Sequence, residues 1–173
     1  MRFNIANQLT ILRILLIPAF VFFLFIGYRN SAVSVFLVAC ATDWLDGFIA
    51  RKYDLVTNFG KFMDPLADKL LVAAALISMI ELEMITAWIV IIIVSREFIV
   101  SGFRLIAAGN DVVIAAGIWG KAKTVAQMIM IIYLLMGFGG IIADILIWGA
   151  VILTIVSGAE YIIKNWWVLK DGK

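Results

Sequence analysis

Residues 9–26 read LTILRILLIPAFVFFLFI, an apolar stretch with a single charge. A helix rises about 1.5 Å per residue, so this stretch approaches the roughly 20 residues needed to cross a hydrocarbon core. It is too long for the core of a secretion signal, and no small-residue cleavage site precedes Tyr28, so it reads as a retained span. Working outward, similar apolar runs occupy 31–50, 62–80, 85–107, 123–138 and 141–163, divided by short segments that carry charge or glycine. Pro18 is expected to kink the first of them. The whole chain has 173 residues, 65% of them apolar and 15% charged, against roughly 45–50% and about 25% in a soluble domain. A water-soluble globule is excluded. The expected fold is all-α, a polytopic membrane protein with six transmembrane helices forming one domain over residues 1–173.

The 14 basic and 12 acidic residues give a net charge of +2, too balanced for an electrostatic nucleic-acid binder. With the N-terminus inside, Arg29 is the one basic residue in an outer loop, which leaves thirteen of the fourteen on or near the cytoplasmic side. Glu81, Glu83 and Asp144 then face out, and function is expected on the cytoplasmic face. Cys40 is the sole cysteine and cannot close an internal disulfide, and the chain has no histidine. Proton transfer and metal binding therefore fall mainly to carboxylates.

Two apolar runs carry acids that a bilayer should exclude: Asp43 and Asp46 in the second, Asp64 and Asp68 in the third. Spacings of three and four put each pair on one helix face. If Arg51 and Lys61 mark the cytoplasmic boundary, Asp43 lies about 12 Å in and Asp68 about 10 Å in, with Asp46 and Asp64 shallower. In an antiparallel hairpin these depths allow the four carboxylates to meet at two levels of one cavity. Four such charges in a poorly solvated site need cations, and an oxygen-only donor set favours Mg2+, Mn2+ or Ca2+ over zinc. Two such ions can clamp a diphosphate. Between the pairs, Gly47 and Ala50 leave room for a flat group, Arg51 can fork onto phosphate, and Thr57 is a helix cap or a ligand hydroxyl. Gly60 permits close packing, and Pro65 removes one amide hydrogen bond near the start of the third helix.

Residues 43–68, DWLDGFIARKYDLVTNFGKFMDPLAD, resemble the signature of the CDP-alcohol phosphotransferase family, D-x2-D-G-x2-A-R-x8-G-x3-D-x3-D. Asp43, Asp46, Gly47, Ala50, Arg51, Gly60, Asp64 and Asp68 match every fixed position. The opening NIANQLTILRILLIP and the later SREFIVSGFRLIAAG and WGKAKTVAQM are similar to the branch of that family whose acceptor is sn-glycerol 3-phosphate. The resemblance implies a six-helix enzyme of the bacterial inner membrane, a homodimer among membrane lipids. It would displace CMP from CDP-diacylglycerol with glycerol 3-phosphate to give phosphatidylglycerol phosphate. Two divalent cations, Mg2+ or Mn2+, would be held by Asp43, Asp46, Asp64 and Asp68, with Asp68 also the catalytic base. Gly47, Ala50, Arg51, Thr57, Gly60 and Asn7 would serve CDP-diacylglycerol.

Outside the signature, Arg96 lies about 12 Å inside the fourth run if Arg104 marks its end, a depth that calls for a wet cavity or a partner such as Glu97. Arg104, Lys121 and Lys123, with Lys61, form a candidate phosphate-binding patch near the surface. Other acceptors of the same chemistry are serine, inositol phosphate and phosphatidylglycerol. A divalent-metal transporter is the alternative of a different class, although it calls for ligands near the bilayer midplane. The basic asymmetry is testable. In a Cys40→Ala background, cysteines at Arg29 and Glu83 should react with an impermeant reagent outside intact cells, and one at Asp54 should react only after lysis.

Overall fold

The computed structural model describes residues 5–52, 58–109, 112, 114 and 117–169; the side chains of 5–7, 44, 46–52, 58–62 and 169 are not among what it describes. Six α-helices follow one another, α1 (Ile5–Phe25), α2 (Arg29–Lys52), α3 (Asn58–Glu81), α4 (Ala87–Gly109), α5 (Ile118–Leu135) and α6 (Ile141–Asn165), and a 3-10 turn, η1 (Trp166–Leu169), ends the described chain. No strand occurs among the described residues. The protein is an all-α membrane protein, as its apolar runs predict. Among the described residues, three segments are long and apolar enough to cross a bilayer, Gln8–Phe25, Ile118–Leu135 and Ile141–Val168. The other three helices have the length, at 24, 24 and 23 residues, but carry the acid pairs or Arg96 and Glu97. Helix α5 begins five residues before the apolar run read from the sequence, which brings Lys121 and Lys123 into its first two turns. Helix α1 continues through Pro18, and α3 through Pro65.

The chain divides into two compact units, Met1–Leu82 with Leu135–Gly137, and Glu83–Leu134 with Phe138–Lys173. In the first, α1 packs along α2 and, over a shorter length, along α3. The buried stripe of α1 runs Thr10, Arg13, Phe20 and Leu24, so one helix face passes from polar to apolar along its axis. Phe20 meets Phe36 of α2 at 5.6 Å between ring centroids. Ala32 and Ala39 on α2, with Ala67 and Ala75 on α3, are fully buried, and their small side chains admit close helix packing. In the second unit, α4 packs against α6, and η1 lies against both. Ala150, Thr154 and Gly158 stack at four-residue intervals on the buried face of α6. Exposed Trp88, Phe98, Ile141 and Ile163 suit a hydrocarbon surround rather than water.

Helices α1 and α5 end alike. Tyr28 N–H donates to the Phe23 carbonyl at 3.0 Å and Phe138 N–H to the Tyr133 carbonyl at 3.4 Å, each closing over a glycine in the left-handed region. At Gly137, with φ +84°, a Cβ would also meet the Arg29 guanidinium. Gly137→Ala should therefore lower the unfolding free energy in detergent by about 1 kcal/mol or more, read as a lower midpoint in thermal unfolding. An unchanged midpoint would mean that this turn does not need glycine.

Candidate active site

The two acidic helices are joined through α1. Arg13 has no solvent exposure; its Nη1 pairs with Asp43 Oδ1 at 2.9 Å and its Nε donates to the Ala39 carbonyl at 3.3 Å, both on α2. One turn nearer the N-terminus, the buried Thr10 hydroxyl donates to Asp64 Oδ1 of α3 at 2.5 Å, the short distance of a charge-assisted bond. Thr10 and Arg13 are three residues apart, so they fix one acid of each pair at levels about 4.5 Å apart along the axis. Counted along α1 from its N-terminus, the tie to Asp64 comes first and the tie to Asp43 one turn later. Asp43 and Asp64 lie within electrostatic reach of one another, and Cys40 lies within reach of Asp43 and Asp68.

Asp43, Asp64 and Asp68 are each partly exposed rather than sealed in the core. Among the described residues, no three acids or cysteines enclose a common point. The Asp46 side chain lies outside the description, as do the side chains of Asn7, Gly47, Ala50, Arg51, Gly60 and Lys61 and all of Thr57. The donor set fits a hard divalent cation: it is carboxylate oxygen, with the Thr10 hydroxyl beside it and no imidazole in the chain.

The second unit carries its own charged cluster. Arg96 Nη1 pairs with Glu97 Oε1 at 2.9 Å, and Lys123 Nζ reaches the same oxygen at 2.5 Å. Arg96 thus has the partner predicted for it. Lys123, read from the sequence as near-surface, is only 2% exposed because the earlier start of α5 places it in the second turn, facing α4. One carboxylate thus serves both cations. Lys121 is exposed, and the exposed Arg104 sets its guanidinium 5.8 Å from the centre of the Tyr161 ring.

Arg13 and Thr10 were not singled out by sequence reasoning. A guanidinium inside an 18-residue apolar window was the available signal for Arg13, since a buried cation in a span requires a partner. A hydroxyl such as Thr10 carries no comparable signal.

A family model described as CDP-alcohol phosphatidyltransferase matches residues 3–156. A CDP-diacylglycerol–glycerol-3-phosphate 3-phosphatidyltransferase of Bacillus subtilis is 46% identical, over 97% of this chain and 98% of that protein. The protein of the same name from Haemophilus influenzae is 43% identical, over 94% and 93%. A probable phosphatidylglycerophosphate synthase of Mycobacterium tuberculosis is 36% identical, over 93% and 81%.

The Arg13 tie predicts coupling. Arg13→Met should cost about 1–3 kcal/mol of stability in mixed micelles, because Asp43 loses its counter-charge while remaining partly solvated. Combining it with Asp43→Asn should cost less than the sum of the two single changes. Strict additivity would show that the pair does not stabilise the fold.

Proposed function

The chain belongs to the CDP-alcohol phosphatidyltransferase family, and from that premise we propose that it transfers the phosphatidyl group of CDP-diacylglycerol to sn-glycerol 3-phosphate, giving phosphatidylglycerol phosphate and CMP. The observation that carries this reading is the pair of ties from α1, which fix Asp43 and Asp64 at neighbouring levels on the two helices of the acidic signature. Membership in a transferase family removes the transporter alternative. The reaction takes place at the cytoplasmic face of a bacterial inner membrane, in a homodimer.

Asp43, Asp46, Asp64 and Asp68 would hold two divalent cations, Mg2+ or Mn2+. When bound, the cations neutralise the diphosphate and the charge that passes to the departing CMP. The protein's own groups do the remaining work. Arg13 keeps the Asp43 carboxylate on one rotamer, and Thr10 does the same for Asp64, so these ligands are preorganised. Asp68 takes the proton from the acceptor hydroxyl as its oxygen bonds to the phosphorus that carries diacylglycerol. The bond from that phosphorus to CMP breaks, and CMP leaves with the electron pair. Gly47 and Ala50 make room for cytidine, and Arg51, Thr57, Gly60 and Asn7 complete the CDP-diacylglycerol site. The dianionic phosphate of the acceptor draws on the basic set Lys61, Arg96, Arg104, Lys121 and Lys123. A serine-type acceptor has no need of such cations.

CMP release by detergent-purified protein, supplied with CDP-diacylglycerol and each acceptor in turn, tests the assignment. Glycerol 3-phosphate should be preferred over serine and inositol phosphate, and a chelator should abolish turnover until Mg2+ or Mn2+ is restored. Asp68→Asn retains the side chain's shape but cannot accept the proton, so turnover should fall by about two orders of magnitude or more. Activity within a few-fold of the parent would remove Asp68 from the mechanism. Asp43→Asn should fail through weaker metal binding and recover in part at high Mg2+. Arg96→Ala should raise the acceptor KM by about tenfold to a hundredfold while leaving the KM for CDP-diacylglycerol nearly unmoved. Arg96→Lys should recover only part of that loss, because a point charge lacks the guanidinium fork.

A further inference from the structure

A cavity of about 150 Å3 opens in the second unit where Arg96 of α4, Gly117 and Gly120 at the start of α5, and Ser157, Glu160 and Tyr161 of α6 converge. Two of the residues that line it carry a buried donor with no acceptor among the described residues, Arg96 Nε and the Tyr161 hydroxyl. Tyr161 is only 7% exposed. Leaving a buried donor unmade costs roughly 1–3 kcal/mol, and a buried tyrosine ordinarily places its hydroxyl where a partner waits.

The surrounding polar groups are already engaged. The Ser157 hydroxyl donates to the Thr154 carbonyl at 3.2 Å, the Asn165 amide to the Tyr161 carbonyl at 2.7 Å, and Lys164 pairs with Glu160 at 2.5 Å. The wall acid is thus paired, and the buried unmatched groups are both donors. Such a site selects a ligand rich in acceptor oxygens and disfavours an ammonium.

The two donors are held in place rather than swinging freely. Phe103 meets the Tyr161 ring edge-on, at 6.4 Å and 86°, while Arg104 stands 5.8 Å from its centroid. On the opposite wall, the Arg96 stem lies so close to α6 that a Cβ at Gly158 would come within 3.1 Å of Arg96 Cγ. Glycine at this position lets the guanidinium lie along the same helix that carries Tyr161.

We infer that Tyr161 is a specificity-determining residue, its hydroxyl donating together with Arg96 Nε to the phosphate oxygens of the acceptor in this cavity. The assignment rests on the transferase reading above and adds a neutral donor to its basic set. Tyr161 thereby discriminates between a phosphomonoester and an uncharged or zwitterionic alcohol.

The test is Tyr161→Phe in the full-length purified enzyme, which keeps the ring contacts with Phe103 and Arg104 and should melt with the parent. The KM for glycerol 3-phosphate should rise about tenfold or more, with kcat and the KM for CDP-diacylglycerol changed by less than about threefold. Inorganic phosphate, competing against the acceptor, should inhibit more weakly by a similar factor. If Tyr161→Phe leaves the acceptor KM and phosphate inhibition unchanged while Arg96→Ala raises that KM, the inference is overturned and the transferase reading stands. If the parent enzyme prefers serine to glycerol 3-phosphate, the acceptor assignment falls and the inference falls with it.

Discussion

A guanidinium without access to solvent must meet its counter-charge inside the protein, and Arg13 meets it on α2. That constraint organises the first unit. The charge on α1 demands Asp43, and the hydroxyl one turn away demands Asp64, so the first helix is the element to which both acidic helices are keyed. The apolar half of the same stripe, Phe20 and Leu24 against Phe36 and the small residues of α2, holds the opposite end together. Polar register and apolar packing therefore act on one face. A rotation of α1 that relaxed either would break the other, so the carboxylates hold their positions without having to pack directly on one another.

The second unit treats its charges differently. Glu97 is shared between Arg96 and Lys123, so the two cations are bonded through one carboxylate. In a low-dielectric surround, a guanidinium is an attraction for an anion as well as a cost. Keeping one carboxylate between two cations lowers the cost enough for a membrane helix to carry them. Glu97 engages Arg96 through Nη1, and Nε has no acceptor among the described residues.

Much of this was legible in the sequence. Long apolar runs with charge at their ends specify membrane helices because hydrocarbon leaves few other choices, and acids at three- and four-residue spacing betray a shared face. The limits of the helices were less legible. Helix α5 starts at Ile118, five residues before the apolar run read from the sequence, so that Lys123 sits a full turn inside the helix and is buried. Depth reasoning applied to the acids applied equally to Arg13, but its charge was absorbed into the count of basic residues on one side of the membrane. The unmatched hydroxyl of Tyr161 could not be read at all, since what makes it informative is the lack of an acceptor among the described residues, a property of three-dimensional packing.

The polar head of the α1 stripe also bears on how the chain enters the bilayer. An arginine within a lone span raises the cost of insertion by about 2.5–3.5 kcal/mol near the helix centre, and its partner Asp43 leaves the ribosome a whole helix later. During that interval Arg13 must stay near the lipid headgroups or be sheltered by the insertion machinery. The cost falls once Asp43 is at hand, which couples the settling of the first helix to the arrival of the second.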